Sequence, residues 1–208
     1  MNTAPNNRLP GIQTARQLLI ALSGLAAVLP AIASAQDVSI VDTIPSAKNP
    51  AISGDGRFVA FESDATNLIA GQTDNNNATD VFVYDRTTKK IEMVSLNDSG
   101  QQGTASGIQG QGHSKNPSIS ADGRFVAFQS LANNLVPGDT NGFVNSSQGE
   151  DIFVYDRNLK RIVRISVNTI SRNQGNGASV TPTISADGSI VAFSSSANNL
   201  VPGFINGN

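Results

Sequence analysis

Pro50-Ala-Ile-Ser-Gly-Asp-Gly-Arg-Phe-Val-Ala-Phe61 decides the fold, because the chain repeats it. It returns as Pro117-Ser-Ile-Ser-Ala-Asp-Gly-Arg-Phe-Val-Ala-Phe128 and as Pro182-Thr-Ile-Ser-Ala-Asp-Gly-Ser-Ile-Val-Ala-Phe193, at spacings of 67 and 65 residues. A second unit, Asp80-Val-Phe-Val-Tyr-Asp-Arg86, recurs as Asp151-Ile-Phe-Val-Tyr-Asp-Arg157. Repeats of this period mark a stacked architecture of equivalent units.

Each unit reads as strands. A short first strand at Ile52-Ser53 and a second at Phe58–Phe61 flank Asp55-Gly56, where Gly supplies the positive φ of a hairpin turn. Asp122-Gly123 and Asp187-Gly188 repeat the device. Phe58–Phe61, Val81–Tyr84 and Ile152–Tyr155 are continuously apolar, so both faces are expected to be covered. Polar turns at Arg86–Lys90 and Arg157–Arg161 lead into a mixed last strand, Ile91–Leu96 or Ile162–Val167. There Val163, Ile165 and Val167 alternate with Ile162, Arg164 and Ser166, the pattern of an outer strand with one face in water.

Four antiparallel strands per repeat, two of them doubly buried, must stack on neighbouring sheets. Radial stacking of such sheets is the β-propeller, so the expected class is all-β. A flat sandwich accounts less well for the exact repetition. The repeat resembles the WD40-like propeller repeat of TolB-type proteins, over nearly all of residues 50–208. That resemblance implies the fold and a binding role in an export compartment. It specifies neither a partner nor a site residue.

Residues 1–35 read as a signal peptide. Arg8 and Arg16 precede an apolar run, Leu18–Ala33, which ends in Ala33-Ser34-Ala35 before Gln36. The run is shorter than a membrane span and carries Pro30. Removing it leaves 12 basic against 16 acidic residues. The expected product is periplasmic or secreted, with no membrane insertion after cleavage. Residues 36–49 form a lead-in with an outer strand at Val38–Asp42. Repeats with their linkers follow at 50–116 and 117–181, and a partial third repeat occupies 182–208. Two explanations fit two blades and part of a third: a piece of a longer propeller, or several chains closing a ring as a homo-oligomer. An unstacked end would leave Phe193 and its neighbours in water, at roughly 1.5–3 kcal/mol per large apolar side chain, and we favour the first.

Composition excludes further classes. The 208 residues contain no Cys, hence no disulfide scaffold, thiolate metal site or Cys nucleophile. A net charge of −2 without a basic run argues against nucleic acid. The 22 Asn suit polar turns. The sole histidine, His113, sits beside Ser114 without the glycine pattern of a nucleophile elbow and reads as a solvated loop residue. Asp80 with Asp85, and Asp151 with Asp156, bracket a strand roughly 16 Å long, too far apart for paired acid chemistry. Asp139, Asn141 and Glu150 match positions 1, 3 and 12 of a calcium loop, but Val144 replaces the required Gly. The segments 97–115 and 168–180 read as flexible linkers, with a binding surface on one propeller face as the alternative. Asn77-Ala-Thr79, Asn97-Asp-Ser99 and Asn145-Ser-Ser147 match glycosylation sequons, which carry no meaning in a bacterial exporter.

The expectation is therefore a non-catalytic interaction scaffold of the cell envelope that contacts protein through a propeller face, with no cofactor, metal or catalytic residue. Its alternatives are a structural fragment without activity of its own, or the accessory propeller of a hydrolase.

Overall fold

The computed structural model describes residues 44, 46–105, 112–140 and 149–203. The signal segment 1–35, the outer strand at Val38–Asp42, Asn141 and Asn145 lie outside the described residues. Ten strands follow in chain order: β1 (Lys48–Ile52), β2 (Phe58–Ser63), β3 (Asp80–Asp85), β4 (Lys90–Met93), β5 (Ser114–Ile119), β6 (Phe125–Ser130), β7 (Asp151–Asp156), β8 (Arg161–Arg164), β9 (Ser179–Ile184) and β10 (Val191–Ser195). They form antiparallel sheets β1-β2-β3-β4 and β5-β6-β7-β8 and a pair β10-β9. This is the expected incomplete β-propeller: two four-stranded blades and two strands of a third.

The doubly apolar strands are buried on both faces. Phe61 stacks on its cross-strand neighbour Phe82 with ring centroids 5.6 Å apart, and Phe128 on Phe153 at 6.0 Å. One buried cluster runs from Ala60, Val81 and Val83 of the first blade to Val126, Phe128 and Tyr155 of the second. Burial of this area between blades is the main stabilising term.

The first strand is longer than Ile52-Ser53. It starts at Lys48, and Ser53 belongs to the turn. Ser53 Oγ donates to Asp55 Oδ1 (2.7 Å) and accepts from the Phe58 amide (2.9 Å), while Asp55 Oδ1 also accepts from the Arg57 amide (2.9 Å). Ser120 with Asp122 and Ser185 with Asp187 repeat this arrangement. The seryl hydroxyl, first among the causes, holds each of these carboxyls below the usual range.

The last strand is shorter than expected, ending at Met93 and Arg164. A serine hydroxyl takes over the ladder: the Val81 amide donates to Ser95 Oγ (3.1 Å), and the Ile152 amide to Ser166 Oγ (3.1 Å). Each hydroxyl then donates to the buried aspartate that opens the third strand, Ser95 to Asp80 (2.6 Å) and Ser166 to Asp151. The half-buried alternation also has the opposite sense to its apolarity. Ile162 and Ser166 face inward, whereas Val163 is 52% exposed.

The linker segments are tied down where they are described. Asn134 donates to the Gln102 carbonyl (2.9 Å) and accepts from the Thr104 amide (2.7 Å). Asn199 likewise donates to the Gln174 carbonyl (3.0 Å) and accepts from the Asn176 amide (3.0 Å). Much of the asparagine content thus serves as backbone-like hydrogen bonding.

Burial pushes the Asp80 carboxyl up to about 7 against the opposing bonds from Ser95 and Asn76. The folded state therefore binds this proton more tightly than the unfolded chain. Its contribution is greatest at low pH and is lost as pH rises from about 4 through 7. Asp80→Asn is expected to gain stability over the parent above pH 7 and to lose that advantage below pH 5, measured by urea unfolding across pH.

Candidate functional site

The inner strands β1, β5 and β9 lie side by side and bound an open groove of about 410 Å³, lined by Asn49-Pro50, Asn116-Pro117 and Thr181-Pro182-Thr183. A residue-proline pair recurs in each strand, Asn-Pro in β1 and β5 and Thr-Pro in β9, because the repeat places a proline there. Proline cannot donate to a ladder, and the residue ahead of it adopts positive φ: 48° at Asn49, 51° at Asn116 and 53° at Thr181. The pairing register shifts at the same point in all three hairpins. Asn tolerates this conformation, whereas a β-branched Thr there is a true outlier. Strain of this kind persists only where surrounding bonds over-determine it.

Those bonds run from blade to blade. Glu62 Oε2 accepts the Asn116 amide (2.7 Å), and Gln129 Oε1 accepts the Thr181 amide (2.8 Å). Asn49 Nδ2 donates to Asn116 Oδ1 (3.0 Å), and Asn116 Nδ2 donates to Gln129 Oε1 (2.9 Å). An amide ladder therefore crosses the groove floor. At the groove's surface stand Asn49, Pro50, Thr181 and Thr183, with Asn116 half-buried and Pro117 and Pro182 buried beneath.

The acids noted in the sequence are engaged in the frame. Arg57 grips Asp85 through two bonds (3.1 and 2.8 Å), and Arg124 grips Asp156 likewise (3.1 and 2.7 Å). These guanidiniums, first among the causes, hold both carboxyls below the usual range. Asp80 and Asp151 sit at the opposite ends of β3 and β7, buried. Asp139 is paired with Arg164 at 3.1 Å, and the same guanidinium reaches Asp151 at 3.3 Å. A guanidinium thus neutralises the Asp139 carboxylate that opens the calcium pattern. Glu150 accepts from Gln129 (3.1 Å). Among the described residues, no three His, Asp or Glu gather as a metal site.

His113 corrects its sequence reading. It is half-buried, and its Nδ1 accepts the Thr79 amide at 2.9 Å. Burial, with Lys115 as the lesser cause, pushes its pKa down, which keeps the ring in the neutral form that this bond requires. The ring joins the start of β3 to the start of β5, where the Ser114 amide donates to the Thr79 carbonyl (2.7 Å).

Sequence reasoning did not single out the groove. Its signal was present in Asn49-Pro50, Asn116-Pro117 and Thr181-Pro182, each opening a repeat.

No protein-family model and no curated protein matches the chain. Among solved structures it is similar to the tricorn protease (15% identity, TM-score 0.42, 72% of this chain and 11% of that one). It is also similar to a putative TolB from Agrobacterium tumefaciens (15%, 0.38, 72% and 43%). A third similarity is to the β-propeller domain of the Trilobed protease from Pyrococcus furiosus (12%, 0.39, 71% and 34%). The chain thus spans between 11% and 43% of the length of these structures. The likeness is one of fold alone.

Thr181→Asn should relieve the β-branched strain and raise stability by about 0.5–1 kcal/mol. Asn116→Val should lower it by breaking the amide ladder and placing a branched side chain at positive φ. Thermal unfolding of both variants checks the pair.

Proposed function

We propose that this chain is an exported, non-catalytic interaction module that presents its inner-strand groove to a protein partner. The observation that carries the reading is the open groove along β1, β5 and β9, which presents Asn49, Pro50, Thr181 and Thr183 at the surface. The aspartates and the histidine that could serve chemistry are engaged by turns, guanidiniums and blade joints. Binding surfaces of this kind combine rigid backbone with adaptable hydrogen bonding. The export signature at residues 1–35 supports a partner outside the cytoplasm.

The test is a photo-crosslinking amino acid at Thr183 in the groove, compared with one at the exposed turn residue Lys89, in cells expressing the full chain. Expected are adducts of defined mass from position 183, absent from position 89 and suppressed by excess purified chain beginning at Gln36. Equal adducts from both positions, or none, would overturn the groove as the contact. Turnover of peptides or glycosides by the purified chain would overturn the non-catalytic assignment. Recovery of a mature form beginning at Gln36 from the export fraction tests localisation separately.

A further inference from the structure

A second opening lies between the two four-stranded blades and shares no lining residue with the groove. It is a cavity of about 320 Å³, at the small end of the roughly 300–1,000 Å³ range of small-molecule sites. Its floor comes from the first blade, where Ile69, Ile91 and Leu96 are half-buried and Met93 is buried. Tyr155 of β7 bounds it from the second blade. The floor is apolar because the first blade carries Gln72 and Met93 where the second carries Asp139 and Arg164. Every lining residue belongs to one of these two blades or to the connection between them.

The charged groups around the cavity answer one another. Glu92 takes Arg157 at 2.5 Å and Lys160 at 3.7 Å. Asp98 takes the Ile162 amide at 2.9 Å and Arg161 at 3.5 Å. Tyr155 is different. It is only 3% exposed, and its hydroxyl has no hydrogen-bond partner among the described residues. Burial, followed by the Glu92 and Asp98 carboxylates, pushes its pKa up, so the group stays an O–H donor. Those two carboxylates also line the cavity, which sets the hydroxyl at that opening. A buried hydroxyl without a partner is costly, and a molecule in the cavity can supply the missing acceptor.

We propose that this cavity is a binding site for a small uncharged amphiphile, a compact apolar body carrying one hydroxyl or amide group. The body lies on Ile69, Ile91, Met93 and Leu96, and the polar group accepts the Tyr155 proton. A charged ligand would have to break the pairs around Glu92 and Asp98 or be buried unpaired, and both are costly. Because both blades supply walls, the bound molecule also ties the first blade joint and stabilises the folded state. The site goes beyond the groove reading, and the two can fail independently.

The experiment uses the full chain labelled at its methionine methyls and followed by NMR. Of its two methionines, Met1 and Met93, the second lines the cavity and reports on it. Benzyl alcohol is the probe, with toluene as the apolar body alone and benzylamine and benzoate as charged analogues. A saturable shift of the Met93 signal by benzyl alcohol is expected, with both charged analogues weaker by about tenfold or more. Tyr155→Phe should leave the unfolding midpoint of the free chain unchanged and weaken benzyl alcohol by about fivefold, the scale of one hydrogen bond. Toluene should bind parent and variant equally. Leu96→Phe, which fills the floor, should abolish the Met93 shift. A shift that never saturates would overturn the site. Charged analogues that bind as tightly as the alcohol would overturn the ligand class. Unchanged affinity for benzyl alcohol in Tyr155→Phe would overturn the role of the hydroxyl. A lowered unfolding midpoint in that variant would do the same, by showing the hydroxyl already bonded within the protein. None of these results alters the crosslinking outcome at Thr183.

Discussion

The structure depends on one contact, the Phe58 ring seated on Gly123. A Cβ at Gly123 would lie 2.1 Å from Phe58 Cδ2, and Gly123 has φ of 71°. The position needs glycine twice over, for the turn and for the neighbour's ring. Phe125 sits on Gly188 in the same way, where a Cβ would lie 2.3 Å from its Cδ2. Two guanidiniums complete the first seat, Arg57 at 4.6 Å and Arg157 at 4.2 Å from the ring centroid. Backbone bonds run alongside, from the Gly54 amide to the Ala121 carbonyl (2.9 Å) and from the Ala121 amide to the Ala186 carbonyl (2.8 Å). One short motif therefore makes its own turn, docks on the next blade and receives the previous one.

Because the frame uses its acids for itself, charge chemistry varies only where a blade can compensate. The first blade places Gln72 beside Met93, with amide and sulfur 3.9 Å apart, and leaves Asp80 to Ser95 and Asn76. The second blade has Asp139 and Arg164 at the corresponding places, and the guanidinium serves Asp151 as well. The two solutions differ in charge but keep the same backbone pairing. A buried carboxylate needs a partner or a proton, and each blade supplies one of them.

Repeat count, strand identity and the blade architecture were legible in the sequence, because identical segments at a fixed spacing can satisfy their apolar faces only by stacking. The Asp-Gly turn was legible as a turn. Its second duty as a ring seat was not, since that contact joins residues about 65 apart in sequence. The signal existed in the pairing of Arg-Phe with Asp-Gly, and in the third repeat, where Ser189-Ile190 replaces Arg-Phe and Ile190 stands in solvent. The shortened outer strands were hidden because a serine hydroxyl mimics a backbone acceptor. The inner groove was hidden because positive φ before a proline runs against the usual preference of that position.

The most direct test of the ring seat compares Gly123→Ala with Gly138→Ala by denaturant unfolding. Gly138 has φ of 75° and nothing within 4 Å of an added Cβ, so alanine there meets only the backbone strain. That strain is about 1–2 kcal/mol. Gly123→Ala should lose at least about 2 kcal/mol more, the scale of overpacking in a filled core, with part recovered when Phe58→Leu is added. Equal losses at the two glycines, with no rescue from position 58, would contradict the ring seat as the contact on which the blades stack.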